Sequence, residues 1–188
     1  MRHILIIGGT KGIGKAIIDL LIEENKITCM SRNVSDYNHK NYNHIQLDAT
    51  LDNFPDLEKI DSLVYCPGSI NLKPISTLSI EDFRNDFELN VIGAVKSIKK
   101  YLPHLKKGEN PSILLFSTVA TKLGMPYHAS VSASKSAIDG IVKTLGAELA
   151  PKIRINAIAP TITNTELASK ILRNEKVKST DEFLVKKK

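Results

Sequence analysis

The apolar positions of this 188-residue chain fall into blocks of two kinds, and the two kinds alternate along its length. His3–Ile7, Ile27–Met30, Ile45–Leu47, Ser62–Cys66, Ser112–Phe116 and Ile153–Ile158 are short runs rich in Ile, Leu and Val. Runs of that length and make-up predict strands. Between them the apolar residues recur at helical spacing. Ile13, Ile17, Leu20 and Leu21 share a face in a helix that starts near Gly12, and Phe83, Phe87, Val91, Val95 and Ile98 do so further on. That second helical region starts near Ser79, where Ser-Ile-Glu-Asp resembles a capping box, and runs to about Leu105, where Lys106-Lys107-Gly108 is a stop. Residues 129–150 form the clearest helix, and Leu167–Leu172 reads as one short helix. Strands alternating with helices predict parallel pairing through helical crossovers.

Composition narrows the class. With 42% apolar and 24% charged residues the chain is an ordinary globular one. No apolar stretch approaches the roughly 20 residues of a membrane span, and Ile4–Ile7 is too short for a signal-peptide core. The two cysteines, Cys29 and Cys66, sit in strand-like runs and read as small buried hydrophobes in a reducing, cytoplasmic setting. The formal charge of +6 is scattered apart from Lys186, Lys187 and Lys188, with no arginine-rich stripe, so neither a nucleic acid nor a membrane is an expected partner. No metal site is expected. Without repeats, low-complexity tracts or a linker, residues 1–188 read as one domain, with the tail from about 173 as its flexible end.

Chemistry enters at Gly8-Gly9-Thr10-Lys11-Gly12-Ile13-Gly14, between the first strand and the first helix. Glycines there permit a sharp turn, close backbone approach to a pyrophosphate, and tight helix–strand packing. The helix N-terminus adds unpaired N–H groups and partial positive charge. A strand-turn-helix of this kind predicts a Rossmann-like, doubly wound parallel sheet of about six strands, flanked by helices in three α/β/α layers.

The spacing Gly8-x-x-x-Gly12-x-Gly14, followed in order by Asp48-Ala49, Gly68, Asn90, Lys135 and Asn156 to Pro160, resembles the short-chain dehydrogenase/reductase family. The resemblance implies a nicotinamide cofactor. Strand two ends in Met30-Ser31-Arg32, with no carboxylate for the ribose hydroxyls, so Ser31 and Arg32, with Lys11 in the glycine loop, point to the 2′-phosphate of NADP(H). By the same resemblance Gly8, Thr10, Gly12, Ile13 and Gly14 cradle the phosphates, Asp48 and Ala49 flank the adenine, Gly68 lies beside the cofactor, and Pro160, Ile162, Thr163 and Thr165 meet the nicotinamide. Thr161 stands where the family usually has glycine.

The family's catalytic group pairs a tyrosine with a lysine four residues later, an asparagine on the long helix and a serine about thirteen residues before the tyrosine. Asn90 and Lys135 fit their places. Four residues before Lys135 stands Val131, which exchanges no proton. Ser117 and Thr118 both suit the serine's place, or act as turn and cap residues. Tyr127 and His128 are candidate substitute acids, near the tyrosine position of related enoyl reductases. The family's closing helices and last strand are not recognisable after about residue 172, and residues 48–61 leave little room for a crossover helix. Strand six is therefore expected to be a sheet edge. The family's habit implies a homodimer through the helices near 80–105 and 129–150. Three functions stay open: an NADP(H)-dependent oxidoreductase acting on a carbonyl, alcohol or activated double bond with an altered proton donor, a non-catalytic NADP(H)-binding protein, or a remnant without a role. The substrate is not legible.

Overall fold

Six strands, all parallel, form one sheet in the order β3-β2-β1-β4-β5-β6 in a computed structural model that describes residues 1–172. They are β1 (Arg2–Ile7), β2 (Asn25–Ser31), β3 (Tyr42–Gln46), β4 (Ser62–Tyr65), β5 (Ser112–Phe116) and β6 (Arg154–Ile158). The helices are α1 (Gly12–Leu21), α2 (Ile80–Phe87), α3 (Gly93–Leu105), α4 (Ala120–Leu123), α5 (Ala129–Leu149) and α6 (Glu166–Leu172). This is the expected Rossmann-like, doubly wound arrangement. The strand order reverses between β1 and β4, which opens a crevice at the strands' C-terminal ends.

Alternation along β1 builds the two faces. Leu5 and Ile7 point to one side, where α3 and α5 supply Ile98, Tyr101, Leu105 and Ile138. Ile4 and Ile6 point to the other, onto Ile18 and Ile22 at α1 and its end. Each such isoleucine, fully buried, contributes roughly 2–3 kcal/mol of transfer free energy. β6 is a sheet edge among the described residues, as expected, and its Arg154, Asn156 and Ile158 face outward and exposed. No described helix is long and apolar enough to cross a membrane.

Strand boundaries shift by a few residues. β3 starts at Tyr42 rather than Ile45, because Tyr42 packs on Tyr37 and pairs with Ile27 although polar residues surround it. β2 extends to Asn25 and Ser31 at its ends. β4 stops at Tyr65, and the chain turns away at Cys66-Pro67-Gly68.

The region that reads as one helix from Ser79 to Leu105 is interrupted. The capping box at its start forms as expected: Ser79 Oγ accepts from Asp82 N at 3.0 Å, and Asp82 Oδ2 accepts from Ser79 N at 2.9 Å. Between α2 and α3, residues Glu88–Ile92 form a π-helical turn that contains Asn90. The Leu89 carbonyl there accepts from the Tyr65 hydroxyl at 2.7 Å, and a Cβ on Gly93 would strike that same hydroxyl. Wider helical turns of this kind often occur at functional positions.

Two crossovers carry no helix. Residues 32–41 link β2 to β3, and residues 47–61 link β3 to β4, without one. Side chains of α3 hold the second link in place. Tyr101, fully buried, donates to Pro55 O at 2.8 Å, Lys96 donates to Thr50 O at 2.6 Å, and Lys100 meets Asp56 at 2.7 Å.

Candidate active site

The crevice deepens into a cavity of about 230 Å³ between β4, β5, α5 and the start of α6. Ile13, Gly68, Ser117, Thr118, Tyr127, His128 and Lys135 line it, and so do Pro160, Ile162, Thr163 and Thr165. Asn90 does not reach the cavity. It lies 1% exposed behind the Gly68-Ser69 turn.

The glycine loop supports close approach. Gly8 and Gly12 have φ of +79° and +56°, in the left-handed region that disfavours a side chain. A Cβ on Gly14 would strike the Gly8 carbonyl oxygen, so α1 packs directly against the end of β1. Lys11 Nζ reaches Glu166 Oε2 at 2.9 Å, which ties the loop to the first turn of α6. Both side chains are about three-fifths exposed, so a competing anion displaces this pair at little cost.

At the tip of β2, Ser31 Oγ donates to Asn33 O at 3.0 Å and lies 2.9 Å from His44 Nε2. With the hydroxyl proton committed to Asn33, the imidazole is the donor in that contact. Asp48 accepts from Thr50 N at 2.8 Å and from Thr50 Oγ1 at 2.6 Å. Partial burial works to raise the Asp48 carboxyl, but those two bonds and the Arg32 guanidinium outweigh it and hold it below the ordinary range. The Arg32 guanidinium is therefore close enough to Asp48 to act on its charge.

α5 carries the other half. Lys135 is 8% exposed, and its Nζ donates to Phe116 O at 2.9 Å. Desolvation pushes its ammonium down to about 8, against the pull of Cys66 and Asp86. One turn earlier Val131, 6% exposed, lines the same cavity. Ser117 is buried, with its hydroxyl 3.5 Å from Lys135 O, while Thr118 Oγ1 accepts from Ala120 N at 3.3 Å. The Ser117 hydroxyl is thus turned onto the backbone carbonyl of Lys135, and Thr118 steadies the turn that leads into the short helix α4.

Tyr127 and His128 both line the mouth of the cavity. Tyr127 holds φ of +65°, a left-handed conformation that costs an aromatic residue roughly 1–2 kcal/mol. Its carbonyl accepts from Lys73 N at 3.2 Å, which fastens the tyrosine to the loop before α2. His128 Nδ1 lies 2.6 Å from Pro126 O, so Nε2 is the nitrogen left to face outward.

Behind the cavity, Asn90 Nδ2 donates to Asp86 O at 2.8 Å and to Ser69 Oγ at 2.9 Å, with Ser134 Oγ at 3.3 Å. Asn90 Oδ1, Asp86 Oδ2 and Ser130 Oγ are buried without a hydrogen-bond partner among the described residues. A Cβ on Gly68 would sit 3.3 Å from Asn90 Oδ1 and 3.4 Å from Lys135 Nζ, so the bare glycine leaves a small polar space that both atoms border. Sequence reasoning missed Asp86, although it stands four residues before Asn90 on the buried face of the helix. It also missed α4 and the apolar wall of Ile70, Leu72 and Met125, whose loop sequence carries no periodic signal.

The model of the short chain dehydrogenase family matches residues 2–176. The chain belongs to that family.

Among its relatives, an oxidoreductase of Schizosaccharomyces pombe is 28% identical over 93% of this chain and 75% of its own length. The ligand-free aldohexose dehydrogenase of Thermoplasma acidophilum superposes with a TM-score of 0.81 at 26% identity, over 90% of this chain and 70% of that one. ElxO with NADP bound gives a TM-score of 0.79 at 27% identity, over 92% of this chain and 79% of that one. A variant of ElxO with one tyrosine replaced by phenylalanine, and with NADPH bound, gives 0.78 at 28% identity, over the same shares of the two chains.

Proposed function

We propose that this short-chain dehydrogenase is an NADP(H)-dependent oxidoreductase acting on a carbonyl, an alcohol or an activated double bond, with a proton donor other than the family tyrosine. The reading rests on one observation: Lys135, Ser117, the glycine loop and the 160–165 segment converge on a single crevice at the sheet's reversal point. The bound nicotinamide would supply or accept the hydride. The cradle fits such a group, since Gly8, Gly12 and Gly14 leave no side chain between the helix N-terminus and a pyrophosphate.

Arg32, Ser31 and Lys11 hold the 2′-phosphate, and Asp48 and Ala49 border the adenine. Lys135 holds the nicotinamide ribose, with Gly68 beneath it. Pro160, Ile162, Thr163 and Thr165 meet the carboxamide. Ser117 polarises the substrate oxygen, and Asn90 orders the polar space behind Lys135. Tyr127 is the substitute acid, supported by its strained backbone at the cavity mouth, where left-handed non-glycine residues cluster with function. His128 is the alternative donor through Nε2.

The chain works as a homodimer, supported by a groove of Val95, Ile98, Leu102, Ile141 and Leu145 between α3 and α5. It works in the cytoplasm, supported by two free cysteines.

Val131 favours a second reading, a cofactor-binding protein without turnover. One experiment separates the two. Protein saturated with NADPH is mixed with a panel of aldehydes, ketones and conjugated enones while NADPH fluorescence is followed. The oxidoreductase reading expects loss of NADPH with at least one carbonyl, and slowing on Tyr127→Phe. NADPH that binds but persists across the whole panel transfers the assignment to the binding protein.

A further inference from the structure

A lysine buried to 8% exposure beside apolar walls needs hydrogen-bond partners to stay charged. Among the described residues Lys135 has one acceptor, the Phe116 carbonyl at 2.9 Å, for three ammonium protons. Among the described residues, none that lines the cavity carries a carboxylate. The nearest opposing groups come from other elements: Cys66, after β4, whose thiol burial pushes up to about 12, and Asp86 on α2. A neutral thiol gives no counter-charge, and Asp86 lies outside the cavity lining.

The surroundings therefore disfavour the ammonium and raise the share of neutral amine at neutral pH far above that of an ordinary lysine, in keeping with an ammonium pushed down to about 8. Val131, one turn away, offers no hydroxyl to share a proton with the amine or to block its lone pair. The walls formed by Leu72, Met125, Val131 and Ile162 suit an aliphatic chain, and Ser117 suits a carbonyl oxygen. Lysines activated in this way, desolvated in an apolar pocket, are nucleophiles toward carbonyl carbon.

We infer that Lys135 is a carbonyl-condensing amine, which forms a reversible imine with aliphatic aldehydes in the cleft when no dinucleotide fills it. The Nζ lone pair adds to the aldehyde carbon, and the two N–H protons of the neutral amine pass in turn to the former carbonyl oxygen. The carbinolamine then loses its oxygen as water and leaves a C=N bond to Nζ. No electrons are exchanged with a third party, and water reverses the step. This chemistry stands apart from the hydride transfer proposed above. A dinucleotide held by Lys135 through its ribose would compete with it.

The test uses the full chain without cofactor, hexanal as the probe and sodium cyanoborohydride to reduce any imine to a stable secondary amine. Peptide mapping by mass spectrometry then reads which lysines carry the adduct. Lys135 is expected to label at least ~10-fold faster than exposed lysines such as Lys11 or Lys15 at neutral pH, because far more of it is unprotonated. Lys135→Arg is expected to lose that adduct while the other lysines label unchanged. Labelling of Lys135 at or below the rate of Lys11 and Lys15 overturns the inference, and the wild-type map gives that answer even if the variant fails to fold. NADPH added first is expected to protect Lys135. Fast labelling without such protection supports the imine and counts instead against the cofactor reading.

Discussion

The two ends of the crevice follow different rules. At the β1–α1 end the family's glycine pattern is in place: left-handed Gly8 and Gly12, and a Gly14 that tolerates no side chain. At the α5 end, Lys135 and Ser117 occupy the floor of the cavity, yet the side chain one turn before the lysine is an aliphatic Val131. The glycine loop thus keeps the family pattern while the position one turn before Lys135 departs from it. The comparison also explains why the fold tolerates the valine. Val131 is buried against an apolar wall, where an unpaired phenol would need a partner.

Restoring the missing group gives the largest expected effect. Val131→Tyr is expected to raise the rate of NADPH-dependent reduction of a generic ketone by roughly 100-fold or more, the usual worth of a positioned acid. A variant that binds NADPH but gains nothing would mean that the α5 end has lost more than its acid. Next is Gly14→Ala, which forces a Cβ onto the Gly8 carbonyl. It is expected to cost about 3 kcal/mol of overpacking, a fall in Tm of roughly 6–12 °C, together with loss of binding for both dinucleotides. Unchanged melting would show that α1 does not pack as tightly on β1 as described.

Arg32→Ala sharpens the comparison further. It is expected to weaken NADPH binding by roughly 10- to 100-fold, the worth of a charge-assisted contact, and to leave NADH alone. Equal loss for both would move Arg32 from the phosphate to a structural role.

Smaller still is a pH effect from the other end of the crevice. The Lys135 ammonium titrates near 8 when folded, below its ordinary value of 10.5, so the unfolded chain binds more protons between those two values. Stability from this group is complete above 10.5 and is lost as pH falls through 8. Lys135→Met is therefore expected to melt above the wild type at pH 7, with the gap closing as pH rises toward 10. A gap that does not change with pH would deny the lysine its buried, weakly partnered setting.

The α/β alternation, four helical regions and the glycine loop were legible because they repeat at fixed periods or need glycine for steric reasons. The π-helical turn at Asn90 was not, since one extra residue per turn leaves the apolar spacing of Phe87, Val91 and Val95 nearly unaltered. Nor was α4, four residues long, whose N-cap Val119 offers no side-chain cap. The loop wall of Ile70, Leu72 and Met125 is made by tertiary packing alone. Val131 was legible as a departure, because its position is counted from Lys135. What the departure does to the lysine, leaving it with one acceptor in an apolar cavity, needed coordinates. Expectations for the tail from about 173 lie outside the described residues.

The central claim is that the β1–α1 end holds a phosphorylated dinucleotide whatever happens at the α5 end. Parallel calorimetric titrations of the purified chain with NADPH and NADH test it most directly. The account predicts saturable NADPH binding at least ~10-fold tighter than NADH. Equal affinities, or no heat with either, would contradict it.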